Sequence, residues 1–332
     1  MVWTPQQRSA GTRLCRVFVA AVFASTVLAS GGAAGHAASA RPHTSKDATP
    51  RVIARITTGR FSRPCAPALH RGSIWVSAFG TGSVVRINPR RNRVTARVRV
   101  GSRPCGLAVG AGSLWVNGFG TNTVERVDAR RLKRIRRIKV GNQPFDVLYA
   151  AGSVWTTNNS DGTVSRIDPR TNRVVATIRT GGAPAGLSFS SGAVWVGSNA
   201  GTDIFRIDPA TNAIRTVAVG RQAPAWLAAT DQAVWVSDVE DNSVSRIDPA
   251  DGTVIATVAV GGAPSDGVVG PDGRVWIPNR LDSTISLIDQ TTNSVVATVK
   301  SGPGPFVLNV GLGHVWAPSW NGSSVWRFKP AL

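Results

Sequence analysis

Seven tryptophans recur along the chain at a nearly constant interval. Trp75, Trp115, Trp155, Trp195, Trp235, Trp276 and Trp316 are spaced 40, 40, 40, 40, 41 and 40 residues apart. Seven prolines, Pro64, Pro104, Pro144, Pro184, Pro224, Pro264 and Pro305, precede them by eleven or twelve residues. Two markers in phase over seven copies restrict the chain to architectures that repeat one supersecondary unit. Around Trp155 the unit holds four short runs rich in β-branched and aromatic residues: 145–149, 153–156, 163–167 and 173–179. Ala151-Gly152, residues 158–162 and Asp168-Pro169-Arg170-Thr171-Asn172 separate them. Gly, Asn, Asp and Pro there supply turn geometry, and the runs between them read as strands A, B, C and D. No stretch beyond the leader has helical period. Four strands per forty residues, seven times over, predict an all-β fold, a seven-bladed β-propeller with four-stranded blades.

The ends complete the ring. The last copy stops after strand C, at Phe328-Lys329-Pro330, and lacks strand D. Residues 51–59, RVIARITTG, match 173–181, RVVATIRTG, almost position for position. The N-terminal strand is therefore expected to complete blade 7 beside Val325, leaving no open sheet edge. The division is residues 1–40 signal peptide, 41–50 loose lead-in and 51–330 propeller. The leader has basic Arg8, Arg13 and Arg16, an apolar run over 17–28 too short to span a bilayer, and Ala38-Ser39-Ala40 as cleavage site. The sequence thus predicts a monomer, secreted or held in the cell envelope, with no transmembrane segment.

Only Cys65 and Cys105 follow the leader, each directly after a marker proline in adjacent blades. An inter-blade disulfide suits an oxidising compartment. The separation expected of equivalent positions on neighbouring strands, against a tolerance of about 7 Å, favours two half-buried thiols instead.

The net charge is +20, and it is uneven. Residues 86–139 hold fifteen Arg and Lys against Glu125 and Asp128, whereas residues 190–300 hold seven Arg and Lys against twelve Asp and Glu. Seven cations, Arg130, Arg131, Lys133, Arg134, Arg136, Arg137 and Lys139, fall on the expected outer strand of blade 2. Such a rim attracts polyanions or simply keeps an outer strand soluble. For an exported chain an envelope polymer or lipid headgroup suits it better than nucleic acid.

The copies TVSRIDPRTNRVVATIRTGGAPAGL and SVSRIDPADGTVIATVAVGGAPSDG resemble the YVTN-type bacterial β-propeller repeat, over residues 51 to 328. The resemblance implies a propeller that binds or scaffolds. The chain is more loosely similar to the streptogramin (virginiamycin B) lyases. That likeness implies a His directly after the strand A proline, a Glu shortly after the strand B tryptophan, and a magnesium ion. After the marker prolines stand Cys65, Cys105, Phe145, Ala185, Ala225, Ser265 and Phe306, with no His. Three residues past the tryptophans only Asp238 is acidic. The general acid and base of such a lyase are therefore missing, and His70 and His314 fall near the A–B turns.

Two further groups could carry function. Asp238, Glu240 and Asp241 place three carboxylates in one loop, which suits a hard cation such as magnesium or calcium, or is an acidic turn. Where the repeat is broken, aromatics cluster: Phe79, Phe119, Phe145, Trp226, Phe306 and Trp320, among Asn117, Asn158, Asn159, Asn199, Asn279 and Asn321, with Asp266 and Arg280 near them. All should face the D–A and B–C loops. Aromatics with amides suit a sugar chain or extended peptide, or plug the channel. The seven tryptophans are expected to pack between blades. The recurring Arg86, Arg126, Arg166, Arg206, Arg246 and Arg327 are expected to pair with the strand-end aspartates. The sequence thus favours a binding propeller, its ligand a wall or matrix polymer, a small molecule or a protein, over a streptogramin-type lyase.

Overall fold

The computed structural model describes residues 49–331; the signal peptide and most of the lead-in, His43 included, lie outside the described residues. Seven antiparallel four-stranded sheets form, each ordered A-B-C-D, and no α-helix occurs among the described residues. Blade 3 has strands Pro144–Ala150, Ser153–Asn158, Thr163–Asp168 and Arg173–Arg179. Blade 7 draws on both ends of the chain. Arg51–Thr57 pairs with Ser324–Lys329, with Ile56 opposite Val325.

The seven tryptophans are at most 1% exposed and lie between blades. Trp75 of blade 1 packs with Leu107, Leu114, Val116 and Val127 of blade 2; Trp316 of blade 7 packs with Ile74, Val76 and Ile87 of blade 1. One indole per interface gives the ring a repeating apolar seam.

Four of the strand C arginines also join blades, but not through aspartate, while Arg86 bonds Thr95 of its own blade. The Arg126 guanidinium lies 4.8 Å from the Trp115 ring and donates to the Pro169 carbonyl and Asn172 Oδ1 of the next blade at 2.7 and 2.8 Å. Arg166, Arg246 and Arg327 repeat this; Arg327 reaches Pro89 and Asn92 of blade 1 and so helps close the ring. The aspartates are occupied elsewhere. Asp128 Oδ1 accepts the Arg130 and Arg131 amides of its own turn at 2.8 and 3.0 Å, which holds its carboxyl below the usual range.

A second series of latches lies near the axis in blades 1, 3 and 5, two residues past the tryptophan. Thr157 donates to the Ala185 carbonyl of the next blade at 2.8 Å, Ser237 to that of Ser265 at 2.9 Å, and Ser77 to that of Cys105. In blade 4 the position is Gly197, where a Cβ would lie 2.2 Å from the Ala225 carbonyl oxygen. A side chain there would force the blades apart.

Cys65 and Cys105 form a disulfide between blades 1 and 2, with Cα atoms 5.1 Å apart. The expectation of free thiols is corrected. Inner strands converge toward the axis, so equivalent residues immediately after the marker prolines come within bridging range.

Candidate functional site at the channel mouth

The departures from the repeat converge on one end of the channel. Phe79, Phe119 and Trp320 come from B–C loops, and Phe145, Trp226 and Phe306 from the starts of A strands or the segment just before one. Their rings form a closed circuit. Successive centroids lie 6.4 Å apart from Phe79 to Phe119, 5.8 Å to Phe145, 5.3 Å to Trp226, 5.0 Å to Phe306, 5.3 Å to Trp320 and 4.7 Å back to Phe79. Tilted and edge-to-face pairs at these distances attract beyond simple burial. Trp226 and Phe306 are buried, whereas the other four are half-buried and keep part of a face in solvent. The disulfide, Ala185 and Ala225 complete the apolar layer beneath.

Two arginines border this circuit. Arg63 lies 4.7 Å from the Trp320 ring centroid and 5.7 Å from that of Phe79. Arg280 stands four residues past its tryptophan, the place that Phe79, Phe119 and Trp320 take in other blades. It is half-buried, burial lowers its pKa, and its guanidinium has no hydrogen-bond or ion-pair partner among the described residues. Phe61 and Leu281, 70% and 74% exposed, stand on loops of the same end.

Other expected site residues go elsewhere. Asn117, Asn158 and Asn279 are fully buried; Asn158 Nδ2 donates to the Thr163 and Ser165 hydroxyls within its own blade, both at 2.9 Å. Asn159, Asn199 and Asn321 stay at the surface. Asp266 lies deeper than the mouth and lines the channel with Asp146. Asp146 lay outside the expectations; the signal available was a carboxylate in a strand run otherwise filled by small or apolar residues.

The acidic loop does not gather around a point. Asp238 is buried and accepts from Ser243 and Ser245, while Asp241 turns to the Gln222 amide of the adjoining loop at 2.8 Å and Glu240 faces solvent. Among the described residues no group of three or more His, Cys, Asp or Glu is placed to hold a metal ion. His70 and His314 lie at the A–B turns, and burial lowers the pKa of both.

On blade 2 all seven rim cations are exposed along Lys133–Lys139 and its preceding turn, but three are engaged, Arg131 lying 3.9 Å from Asp128 Oδ2 and two others at Glu125. Arg137 Nε lies 2.8 Å from Glu125 Oε1 and Arg134 Nε 3.5 Å from Oε2, with Glu125 fully buried.

No family model and no curated protein sequence matches the chain. Known structures match its fold. Kuenenia stuttgartiensis hydrazine synthase aligns with a TM-score of 0.72 at 18% identity, covering 82% of this chain and 97% of that one. Virginiamycin B lyase from Staphylococcus aureus aligns with a TM-score of 0.72 at 15% identity, covering 82% and 97%. The WD40 β-propeller domain of Doa1 gives 0.72 at 11% identity, covering 84% and 96%. At such identities the likeness is one of fold. The expected likeness to streptogramin lyases thus holds for architecture, and the YVTN-type repeat finds no family counterpart.

Proposed function

We propose that the protein is an exported binding propeller that holds a cell-envelope or matrix polymer against its D–A/B–C face. The observation that carries this reading is the closed aromatic circuit bordered by Arg63, with Arg280 at the corresponding loop position of blade 6 and without a partner among the described residues. Partly solvated aromatic faces stack on flat, weakly polar rings, sugars among them. A guanidinium without an acceptor is a ready donor for a carboxylate or phosphate, which it can bind by two parallel hydrogen bonds. Together they favour an anionic glycan over a neutral one. Phe61 and Leu281 extend the apolar surface outward, which also suits a protein partner.

Catalysis is the weaker reading. No histidine follows a marker proline, and Asp238, the one acidic residue three past a tryptophan, is buried among hydroxyls. The exposed cations of blade 2 favour an additional, salt-sensitive attachment to polyanions. The test is co-sedimentation of the mature protein with insoluble wall polymer at low and physiological salt. Binding that survives salt and is lost on Trp320→Ala supports the aromatic face; binding that salt removes and Trp320→Ala leaves intact assigns the polymer to the rim.

A further inference from the structure

Beneath the aromatic circuit the channel holds a cavity of about 410 Å³. Strand A residues of all seven blades line it, and none of the six aromatics does. A strands run from the marker prolines toward the A–B turns, so the cavity is sealed at the proline end and opens at the other. Leu107, Val147, Leu187, Leu227 and Leu308 are among the lining residues, interspersed with Tyr149, Ser188 and Asn309, and more of the accessible wall is polar than apolar. Among the described residues, Asp146 and Asp266 are the only charged ones on that wall, and no Arg, Lys or His faces it.

Both carboxylates have structural duties. Asp146 accepts the Leu187 and Val147 amides at 2.8 Å each, where bulges in the A strands free those donors. Asp266 of blade 6 likewise accepts the Leu227 amide of blade 5. Amide caps stabilise a carboxylate without cancelling its charge. Two like charges in one cavity repel, and no Arg, Lys or His among the described lining residues balances them. Burial raises the Asp146 carboxyl to about 6 and holds the Asp266 carboxyl well above its ordinary value, with Asp146 as the second cause for Asp266.

The geometry points to this cavity as a binding site for a small organic cation: an ammonium group between Asp146 and Asp266, its apolar body along the leucine and valine wall. A volume of this size, with apolar side chains and a few convergent polar groups in its lining, is what small-molecule sites are made of. Two carboxylates supply few of the six to eight oxygens a calcium ion takes, whereas one ammonium has three donors for the pair. The site is separate from the aromatic face, and neither depends on the other.

The experiment is calorimetric titration of the mature protein with hexylammonium, 1-hexanol and hexanoate at about pH 8, above the Asp146 value of about 6. The site predicts saturable binding of hexylammonium, about tenfold or more tighter than hexanol, and none of hexanoate. Asp266→Asn and Asp146→Asn, near-isosteric, should each remove that preference. Ser188→Phe, which fills the cavity and leaves the carboxylates in place, should remove all binding. Lowering the pH to about 5 should weaken hexylammonium but not hexanol. Equal affinity for amine and alcohol, no amine binding at all, or binding of magnesium or calcium in place of the amine would each overturn the assignment.

Discussion

Asp238 occupies in blade 5 the place that Asn158 occupies in blade 3, and it holds the equivalent pair of hydroxyls. Its Oδ2 accepts from Ser243 and Ser245 at 3.0 and 2.8 Å, where Asn158 Nδ2 donates to Thr163 and Ser165. Hydroxyls serve either as donor or acceptor, so the position tolerates a carboxylate or an amide. The carboxylate carries a burial penalty: its pKa is raised from 3.8 to about 6, with burial the main cause.

That penalty has a definite sign. A carboxyl whose folded pKa is raised binds its proton more tightly when folded. Its contribution to stability is greatest below about 3.8 and is lost as pH rises through about 6. Asp146 acts in the same direction. The turn-capping Asp128, Asp168, Asp208, Asp251 and Asp289 have lowered values, so their contributions are lost only on acidification below that window. Asp238→Asn should therefore raise stability at pH 7 by about 1–3 kcal/mol and flatten its dependence between about pH 4 and 6. Urea denaturation across that range measures it; an unchanged slope would show that Asp238 does not carry the effect.

Ring closure rests on Ile56, 2% exposed and opposite Val325. Removing residues 41–49 should leave the melting temperature unchanged. Removing 41–58 strips blade 7 of its outer strand and uncovers Val325 and Trp316, which pack with Ile56, so cooperative unfolding should be lost or shifted far down. Ile56→Ala alone should cost about 2–4 kcal/mol. Matching melting temperatures for the two truncations would refute the closure.

The fold was largely legible because every blade repeats the same periodicity and turn chemistry, so Trp75 to Trp316 and residues 51–59 announce the architecture seven times over. The aromatics of the mouth were legible as breaks in that repeat. The amides were not. Asn117, Asn158 and Asn279 look like loop residues, but they are the last or next-to-last residues of B strands and bond inward. The arginine partners were misread because Asp128 and its counterparts look like free carboxylates until their turns are closed. The disulfide depended on how sharply inner strands converge, a quantity that spacing along the chain does not encode.

Glu125 shows why the rim of blade 2 is not one set of interchangeable charges. It is fully buried and takes bonds from Arg137 and Thr123 at 2.8 and 3.0 Å. Arg137→Gln should cost about 1–3 kcal/mol by leaving a buried carboxylate short of a partner. Adding Glu125→Gln should restore part of it. Replacing Arg130, Arg131 and Lys133 together with Gln should change stability by no more than about 0.5 kcal/mol. Chemical denaturation of the three variants beside wild type decides the matter; equal losses at Arg137 and at the exposed triple would remove the distinction.

The Cys65–Cys105 bond closes a sequence separation of 40 residues. A loop of that size implies stabilisation of about 2–4 kcal/mol by restricting the unfolded chain. Reduction should lower the melting temperature and leave the fold intact, since both sulfurs sit in an apolar layer. Scanning calorimetry with and without reductant tests this, and identical transitions would show that the bond does not form in solution.

The account stands most directly on what the aromatic circuit binds. The decisive measurement is tryptophan fluorescence of the mature protein titrated with polygalacturonate and teichoic-acid oligomers at physiological salt, on wild type, Trp320→Ala, Arg280→Gln and the rim variant Arg136→Gln/Lys139→Gln. The account predicts saturable binding of at least one of these anionic polymers, weakened about tenfold or more by either mouth substitution, as for an interface hot spot, and unchanged by the rim pair. No saturable binding of either polymer, or affinity indifferent to Trp320 and Arg280, would contradict it.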